Sequence, residues 1–360
     1  MRSCTGCSLV PSATLSTRLQ AIWYGESRPS WPLRALSLLL ELLVRLRRAL
    51  YAHGVLTIHR LPRPVVVVGN LTVGGSGKTP LVIWLSAQLR AQGLQPGIVL
   101  RGYGGDAARA NEPLEVDAGS DPDVVGDEAL LLRLRTLAPV VVCRDRVRGA
   151  QRLLRAGVDV IIADDGLQHW PLGRDFEIAV VDAARGLGNG HLLPAGPLRE
   201  PPARLGQVDA VVLNGEGGFD VAQVLGDERS SPRAVFVMHL AGEWLWPLSG
   251  SGEPMALARL AGLRVHAVAG IGNPQRFFAQ LMAAGLVVIA HPFPDHHRYR
   301  PAELEFNDGL PLLMTEKDAV KCRMFGAANH WYLPVAASFV EAQGSALLTR
   351  LQRCLLEFSR

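Results

Sequence analysis

A chain of 360 residues exceeds what one hydrophobic core usually serves, so two domains are predicted, each able to bury a full core. With 48% hydrophobic and 19% charged residues, 37 Gly and 24 Pro, the composition excludes a disordered or fibrous protein and fits an α/β fold rich in tight turns. The net charge of +4, carried by arginine far more than lysine, favours anionic partners; no basic run interleaved with aromatics marks a nucleic-acid module, so nucleic acid is not expected as a partner.

Residues 1–31 read as a loose N-terminal extension without the continuous apolar run of a secretory signal, which predicts a protein that stays inside the cell. Five scattered cysteines (Cys4, Cys7, Cys143, Cys322, Cys354) argue for a reducing compartment rather than a disulfide framework. Cys4-Thr-Gly-Cys7 is a lone CxxC with no second pair to complete a zinc site.

Residues 32–51 are leucine-rich, with Arg34, Ser37, Glu41, Arg45 and Arg48 at helical spacing along one face and Leu36, Leu39, Leu40, Leu43, Leu46 and Leu50 on the others. The charges interrupt the run well short of the ~20 apolar residues a spanning helix needs. The pattern predicts a helix lying in the plane of an anionic membrane interface, with a core helix as the alternative.

The four valines 65–68 predict a buried strand, and residues 69–80 follow as Gly-Asn-Leu-Thr-Val-Gly-Gly-Ser-Gly-Lys-Thr-Pro before an apolar-periodic helix. Strand, glycine loop and helix in that order form a P-loop. Thr72, Val73, Gly74, Gly75, Ser76 and Gly77 would wrap phosphate oxygens with backbone N–H groups; Lys78 would reach the β/γ-phosphates, and the Thr79 hydroxyl would ligate Mg²⁺. Thr72 occupies the first glycine position of the usual pattern, a minor departure. A second acid near magnesium is predicted at the end of a neighbouring strand, where Asp164 and Asp165 follow the apolar run 158–163; spacing leaves open which of them touches the metal.

Further strand-like runs at 96–100, 139–142, 177–181 and 209–213 alternate with helical patterns, as in a parallel sheet covered by helices on both faces. This assigns 52–233 to a P-loop domain. A smaller α/β alternation at 265–269, 286–290 and 312–314 assigns 234–337 to a second domain, with 234–240 and 331–337 expected to pair as a two-stranded hinge. The segment 338–360 is expected to form a helix packing back on the first domain. The turn at 270–274, Gly-Ile-Gly-Asn-Pro, is too weak a signal for a dinucleotide.

Several motifs are unusual for a generic NTPase: Arg101-Gly102-Tyr103-Gly104, Gly126-Asp127-Glu128, Asp164-Asp165-Gly166-Leu167-Gln168-His169, Leu193 to Pro201 with Arg199 and Glu200, Phe293-Pro294-Asp295-His296-His297, and Thr315-Glu316-Lys317-Asp318. In this order the series resembles that of the bacterial tetraacyldisaccharide 4′-kinase (lipid A 4′-kinase) family; Ala129 departs from it, where the family favours proline. The resemblance implies transfer of phosphate from Mg·ATP to the 4′-hydroxyl of an acylated glucosamine disaccharide 1-phosphate. It places the reaction at the cytoplasmic face of the bacterial inner membrane and demands no protein partner.

The resemblance also implies that Asp127 deprotonates the acceptor with support from His296, though Gly-Asp-Glu is equally an ordinary helix start. Asp127 and His296 fall in different predicted domains, so their meeting is expected to require closure of the cleft. Tyr103, Arg146, Gln168, His169, Arg199 and Glu200 are the candidate substrate-facing residues, with a guanidinium at Arg146 or Arg199 suited to phosphoryl charge. Thr-Glu-Lys-Asp at 315–318 has the wrong order for a guanine-reading element, which favours ATP. The rival readings are a P-loop NTPase that drives a protein partner as a switch or chaperone, and a soluble small-molecule kinase.

Overall fold

The computed structural model describes residues 15–25, 27–109, 111–225, 234–340 and 342–358, so Cys4 and Cys7 lie outside the described residues. Two helices come first, α1 (Leu15–Tyr24) and α2 (Trp31–Ala52). They lead into β1 (Val65–Gly69), α3 (Lys78–Ala91), β2 (Pro96–Leu100), the short β3 (Leu114–Glu115) and α4 (Pro122–Val125). Then follow α5 (Asp127–Thr136), β4 (Val140–Val142), α6 (Arg146–Leu154), β5 (Val160–Asp164) and β6 (Phe176–Asp182). After β7 (Ala210–Asn214), α7 (Val221–Leu225) and β8 (Val235–Ala241) come β9 (Trp244–Pro247), β10 (Met255–Ala256), β11 (Arg264–Ala269), α8 (Pro274–Ala283) and β12 (Val287–Pro292). The last described elements are β13 (Leu312–Thr315), α9 (Glu316–Cys322), β14 (His330–Leu333), β15 (Ala336–Phe339) and α10 (Gln343–Phe358).

The β-branched strands fill the middle of a nine-stranded sheet in the order β15-β8-β7-β6-β1-β5-β2-β4-β3. All pairings from β8 to β4 are parallel, and each edge carries one antiparallel strand. Every residue of β1 and β5 is buried, because helices cover both faces and leave no solvent side on which polar residues could alternate. One face packs α3, α5 and α10 through Leu85, Leu130 and Leu347; the other packs α6 through Val147 and Leu153.

The smaller sheet runs β10-β9-β14-β13-β11-β12, parallel from β14 to β12, with its own core on both faces around Phe278 and Met314. The pairing expected of 234–240 with 331–337 is made only at the end of the second segment: β8 pairs antiparallel with β15, from Ala336↔Ala241 to Phe339↔Met238, as the edge of the large sheet. Trp331 and Tyr332 belong instead to β14 of the small sheet. Pro334 stands between β14 and β15, and its missing N–H suits the point where the chain changes sheets.

The first helical turn of α2 carries Pro32, and the helix docks through a narrow seam: Ser37 is buried with its Oγ donating to Leu192 O at 2.8 Å, and Leu40 and Val44 pack on the large core. The sequence's polar stripe is therefore divided. Ser37 faces the protein and Arg48 stacks over Trp170, while Leu36, Leu38, Leu39, Leu42, Leu43 and Leu46 are each more than half exposed. A small residue at the seam lets the helix approach closely, and this turns the leucines outward. Among the described residues, no helix is long and apolar enough to cross a membrane.

Candidate active site

Parallel strands present their carboxyl ends on one side of a sheet, where ligands of such folds bind. Here the loop after β1, the acids after β5, and the ends of β6 and β7 converge. Within the loop, Gly74 and Gly77 take φ of +113° and +93°, conformations that side-chain-bearing residues resist. The 193–201 segment braces it from outside: Val73 N donates to Pro197 O at 2.8 Å and Arg199 N to Leu71 O at 2.7 Å.

Asn70, fully buried, is the organising residue of the loop's inner side. Its Nδ2 donates to Gly74 O at 3.2 Å, and its Oδ1 accepts from Lys78 Nζ at 3.1 Å and from Arg199 Nη2. Arg199 also makes a two-pronged pair with Asp165, at 2.8 and 2.7 Å, and Lys78 lies 3.7 Å from the same carboxylate. Burial alone would raise the Asp165 pKa, but Lys78, Arg199 and Arg146 together hold it well below the usual carboxylate range.

Asp164 is different. Its strand register, Val68↔Asp164, sets it beside the start of the loop; it is 2% exposed, and its Oδ1 has no hydrogen-bond partner. Burial, with the Glu128 charge adding, pushes it up to about 7. A buried carboxylate oxygen without a partner, within reach of the Lys78 charge at the start of α3, fits an oxygen-liganded divalent cation, and the half-buried Thr79 follows Lys78 in the same helical turn.

Across the cleft, Asp127 opens α5 and His296 sits in the turn after β12 at φ +58°. His296 Nδ1 lies 3.0 and 3.1 Å from the two carboxylate oxygens of Asp127. The sequence makes their meeting depend on closure, whereas here the two sheets are already joined at this point. Burial would raise the Asp127 pKa, yet the Lys317 charge, the His296 hydrogen bond and Lys321 outweigh it and hold the acid at about 2. Lys317 Nζ contacts Glu128 at 3.0 Å, Asp295 at 3.2 Å and His296 Nε2 at 3.5 Å, and Lys321 Nζ lies 3.6 Å from Asp127.

The remaining candidates divide. Tyr103 is 64% exposed with its ring 5.0 Å from that of His296. Arg146 is buried, its Nη1 donating to Arg144 O at 3.2 Å and its Nη2 to Asp165 O at 3.4 Å. Glu200 is turned inward rather than into a cleft, accepting from Gln168 Nε2 at 2.8 Å and lying 3.5 Å from Arg204. Gln168 reaches Asn70 O at 3.3 Å, and His169 lies 3.7 Å from Asp145, with burial and Arg146 pushing its pKa down to about 4. Thr315 and Asp318 cap α9: Thr315 Oγ1 accepts from Asp318 N at 3.2 Å and donates to its carboxylate at 2.6 Å.

Sequence reasoning assigned no role to Asn70, Glu128, Lys317 or Lys321. A usable signal existed in the lysines. The chain has only three, Lys78, Lys317 and Lys321, against 34 arginines, and all three line this cleft. Lys317 and Lys321 stand four apart, the spacing that puts both on one face of α9.

A phosphate loop with its lysine, a buried acid suited to magnesium, and an acid–imidazole pair facing them define a P-loop phosphotransferase. The sequence profile of the tetraacyldisaccharide-1-P 4′-kinase family matches residues 29–353, and the chain belongs to that family. The tetraacyldisaccharide 4′-kinase of Nitrosococcus oceani is 47% identical over 342 residues, covering 94% of this chain and 95% of the relative. That of Aromatoleum aromaticum is 50% identical over 333 residues, covering 92% and 96%. The crystal structure of LpxK from Aquifex aeolicus in complex with ATP superposes with a TM-score of 0.71 at 30% identity, covering 89% of this chain and 98% of that one. The chain is accordingly an ATP-dependent kinase of lipid A synthesis.

Proposed function

We propose that Asp127 accepts the proton of the 4′-hydroxyl of tetraacyldisaccharide 1-phosphate as that oxygen forms its bond to the γ-phosphorus of ATP and the bond to ADP breaks. The observation that carries this reading is the 3.0 Å contact of Asp127 with His296 at the junction of the two sheets, opposite the phosphate loop. A carboxylate at about 2 is a weak base, and that suffices here. In a loose phosphoryl-transfer transition state the hydroxyl proton becomes strongly acidic only as the new bond forms, so positioning matters more than basicity. His296 holds the carboxylate in place, and Lys317 keeps it ionised.

Asp164 and Thr79 are the residues that would hold Mg²⁺, which when bound neutralises charge on the transferring phosphate. Asp165 serves instead to seat Lys78 and Arg199 toward that phosphate. Among the acceptor-facing candidates, Tyr103 beside His296 can touch the sugar directly, while Arg146 and His169 act from within, the buried Arg146 adding positive charge beside Asp165 and His169 standing as a neutral imidazole next to Asp145. Gln168 and Glu200 act through Asn70. The kinase lobe is 52–233 with the helix of 338–360, and 234–337 forms the second lobe, which leaves and rejoins the large sheet through β8 and β15. The assay that tests the reading is transfer of labelled γ-phosphate to tetraacyl disaccharide 1-phosphate in detergent. Labelled lipid is the expected product, and ATP hydrolysis without it counts against the assignment.

The outward leucines of α2 belong to the same reading. An exposed row of six leucines is costly in water, and Arg34, Arg45 and Arg47 flank it with charge that anionic headgroups would meet. The protein therefore works at the cytoplasmic face of the bacterial inner membrane, held by the interface without spanning it, and needs no protein partner to do so. Replacing Leu39, Leu42, Leu43 and Leu46 together by serine is expected to weaken co-sedimentation with phosphatidylglycerol-containing vesicles by about two orders of magnitude or more. Transfer to a short-chain, soluble acceptor should stay near the parent rate. Unchanged vesicle binding would assign the leucines another role.

A further inference from the structure

The loop at 270–274 leaves β11 and enters α8 directly against the phosphate loop. A Cβ at Gly272 would lie 2.7 Å from Gly75 N and 3.3 Å from Gly74 Cα, so glycine is what lets the two backbones meet. Arg185 Nη1 ties this contact by donating to Gly272 O at 3.4 Å.

Arg276, in the first turn of α8, then crosses to the large sheet. Its Nη2 donates to Asn214 Oδ1 at 2.8 Å, and its Nη1 lies 3.7 Å from Asp182 Oδ2, a buried oxygen with no hydrogen-bond partner. Asn214, 1% exposed at the end of β7, passes the contact on: its Nδ2 donates to Ser76 O at 2.8 Å. A Cβ at Gly77 would lie 2.2 Å from that same Nδ2, which is therefore seated in the bend of the phosphate loop.

An asparagine amide has two nearly isosteric orientations, and only one places a donor against the Ser76 carbonyl. The Arg276 guanidinium selects that orientation, because it can only donate and so must face Oδ1. The bond also polarises the amide and strengthens its far-side N–H.

We propose that Arg276 is a positioning residue for nucleotide binding, which through Asn214 fixes the Ser76 carbonyl and thereby the shape of the phosphate loop. The seating of the second lobe is then read directly at the loop, on the side away from the Asp127–His296 contact. Arg276 itself touches no phosphate in this scheme. The proposal rests on nucleotide binding at residues 72–79.

The test is direct titration with Mg·ATP, together with separate KM values for ATP and lipid acceptor, for Arg276→Ala, Asn214→Ala, the double variant and Arg276→Lys. Each alanine variant is expected to weaken ATP binding about tenfold, the loss typical of one hydrogen bond to a charged group, with the acceptor KM unmoved. The double variant should be no worse than the poorer single one, since both interrupt one chain of contacts. Arg276→Lys retains a donor and should recover part of the loss, which keeps the test informative if the alanine variant folds poorly. Multiplying losses in the double variant, or an ATP KM unchanged while kcat falls, would overturn the role. Failure of the unsubstituted protein to bind Mg·ATP would instead remove the foundation.

Discussion

Replacing Lys78 by methionine is expected to lower kcat/KM for ATP on the order of 10²–10³-fold while leaving the protein folded, the scale measured when one preorganised donor to a developing anion is removed. The fold should survive because the partners of Lys78 are held twice over. Asp165 keeps its two-pronged bond to Arg199, and Asn70 Oδ1 keeps its bond from the same guanidinium. The substitution thus removes a charge aimed at the nucleotide without stranding a buried one. Thermal unfolding within a few degrees of the parent, alongside the kinetic loss, is the anticipated pair of results. Parent-like turnover would detach residues 72–79 from phosphate altogether. Lys78→Arg should not restore activity, since a planar fork cannot occupy the place of a compact ammonium.

Asp127→Asn is the second large effect, and its signature is a split. Turnover should fall on the order of 10²–10⁴-fold, as for loss of a general base, while Mg·ATP affinity holds. The lobe junction also loses the anion that faces Lys317, Lys321 and His296, so a stability change with a definite pH dependence accompanies the kinetics. The folded-state pKa of Asp127, about 2, lies below its ordinary 3.8. Its contribution, roughly 2 kcal/mol, is therefore complete above the ordinary value and disappears as pH falls through about 2. The variant should unfold more easily than the parent at neutral pH, and the difference should narrow under acid. A constant difference across that range would mean that Asp127 is not held ionised by its neighbours. Lys317→Met, which strips away the largest of the attractive charges on Asp127, should bring the narrowing to higher pH.

The phosphate loop was legible in the sequence because its chemistry is local. Glycines at 74 and 77, Lys78 and Thr79 belong to one strand–turn–helix unit whose conformation is set by neighbours in the chain. The parallel sheet was legible for a related reason: strands buried on both faces cannot alternate, so 65–68 and 160–163 appear as unbroken apolar runs. The family motifs extended this reading to Asp127 and His296 and to their meeting, but made that meeting wait on closure of the cleft, whereas the contact, between positions 169 apart, is already formed.

What the tertiary structure alone decided has one common cause, the packing of distant segments into a low-dielectric cleft. The two adjacent aspartates are alike in sequence, yet Arg199 claims Asp165 while Asp164 is buried with a free oxygen; no spacing rule distinguishes them. Glu200 is turned inward by Arg204 and Gln168, although a polar loop residue is ordinarily expected to face solvent. The leucines of α2 face outward because Ser37 fits a close approach to Leu192, a choice made by the surface the helix meets. Local conformation follows from short-range sterics written residue by residue. The charge state and direction of a buried side chain follow from whichever partners folding brings within hydrogen-bond reach.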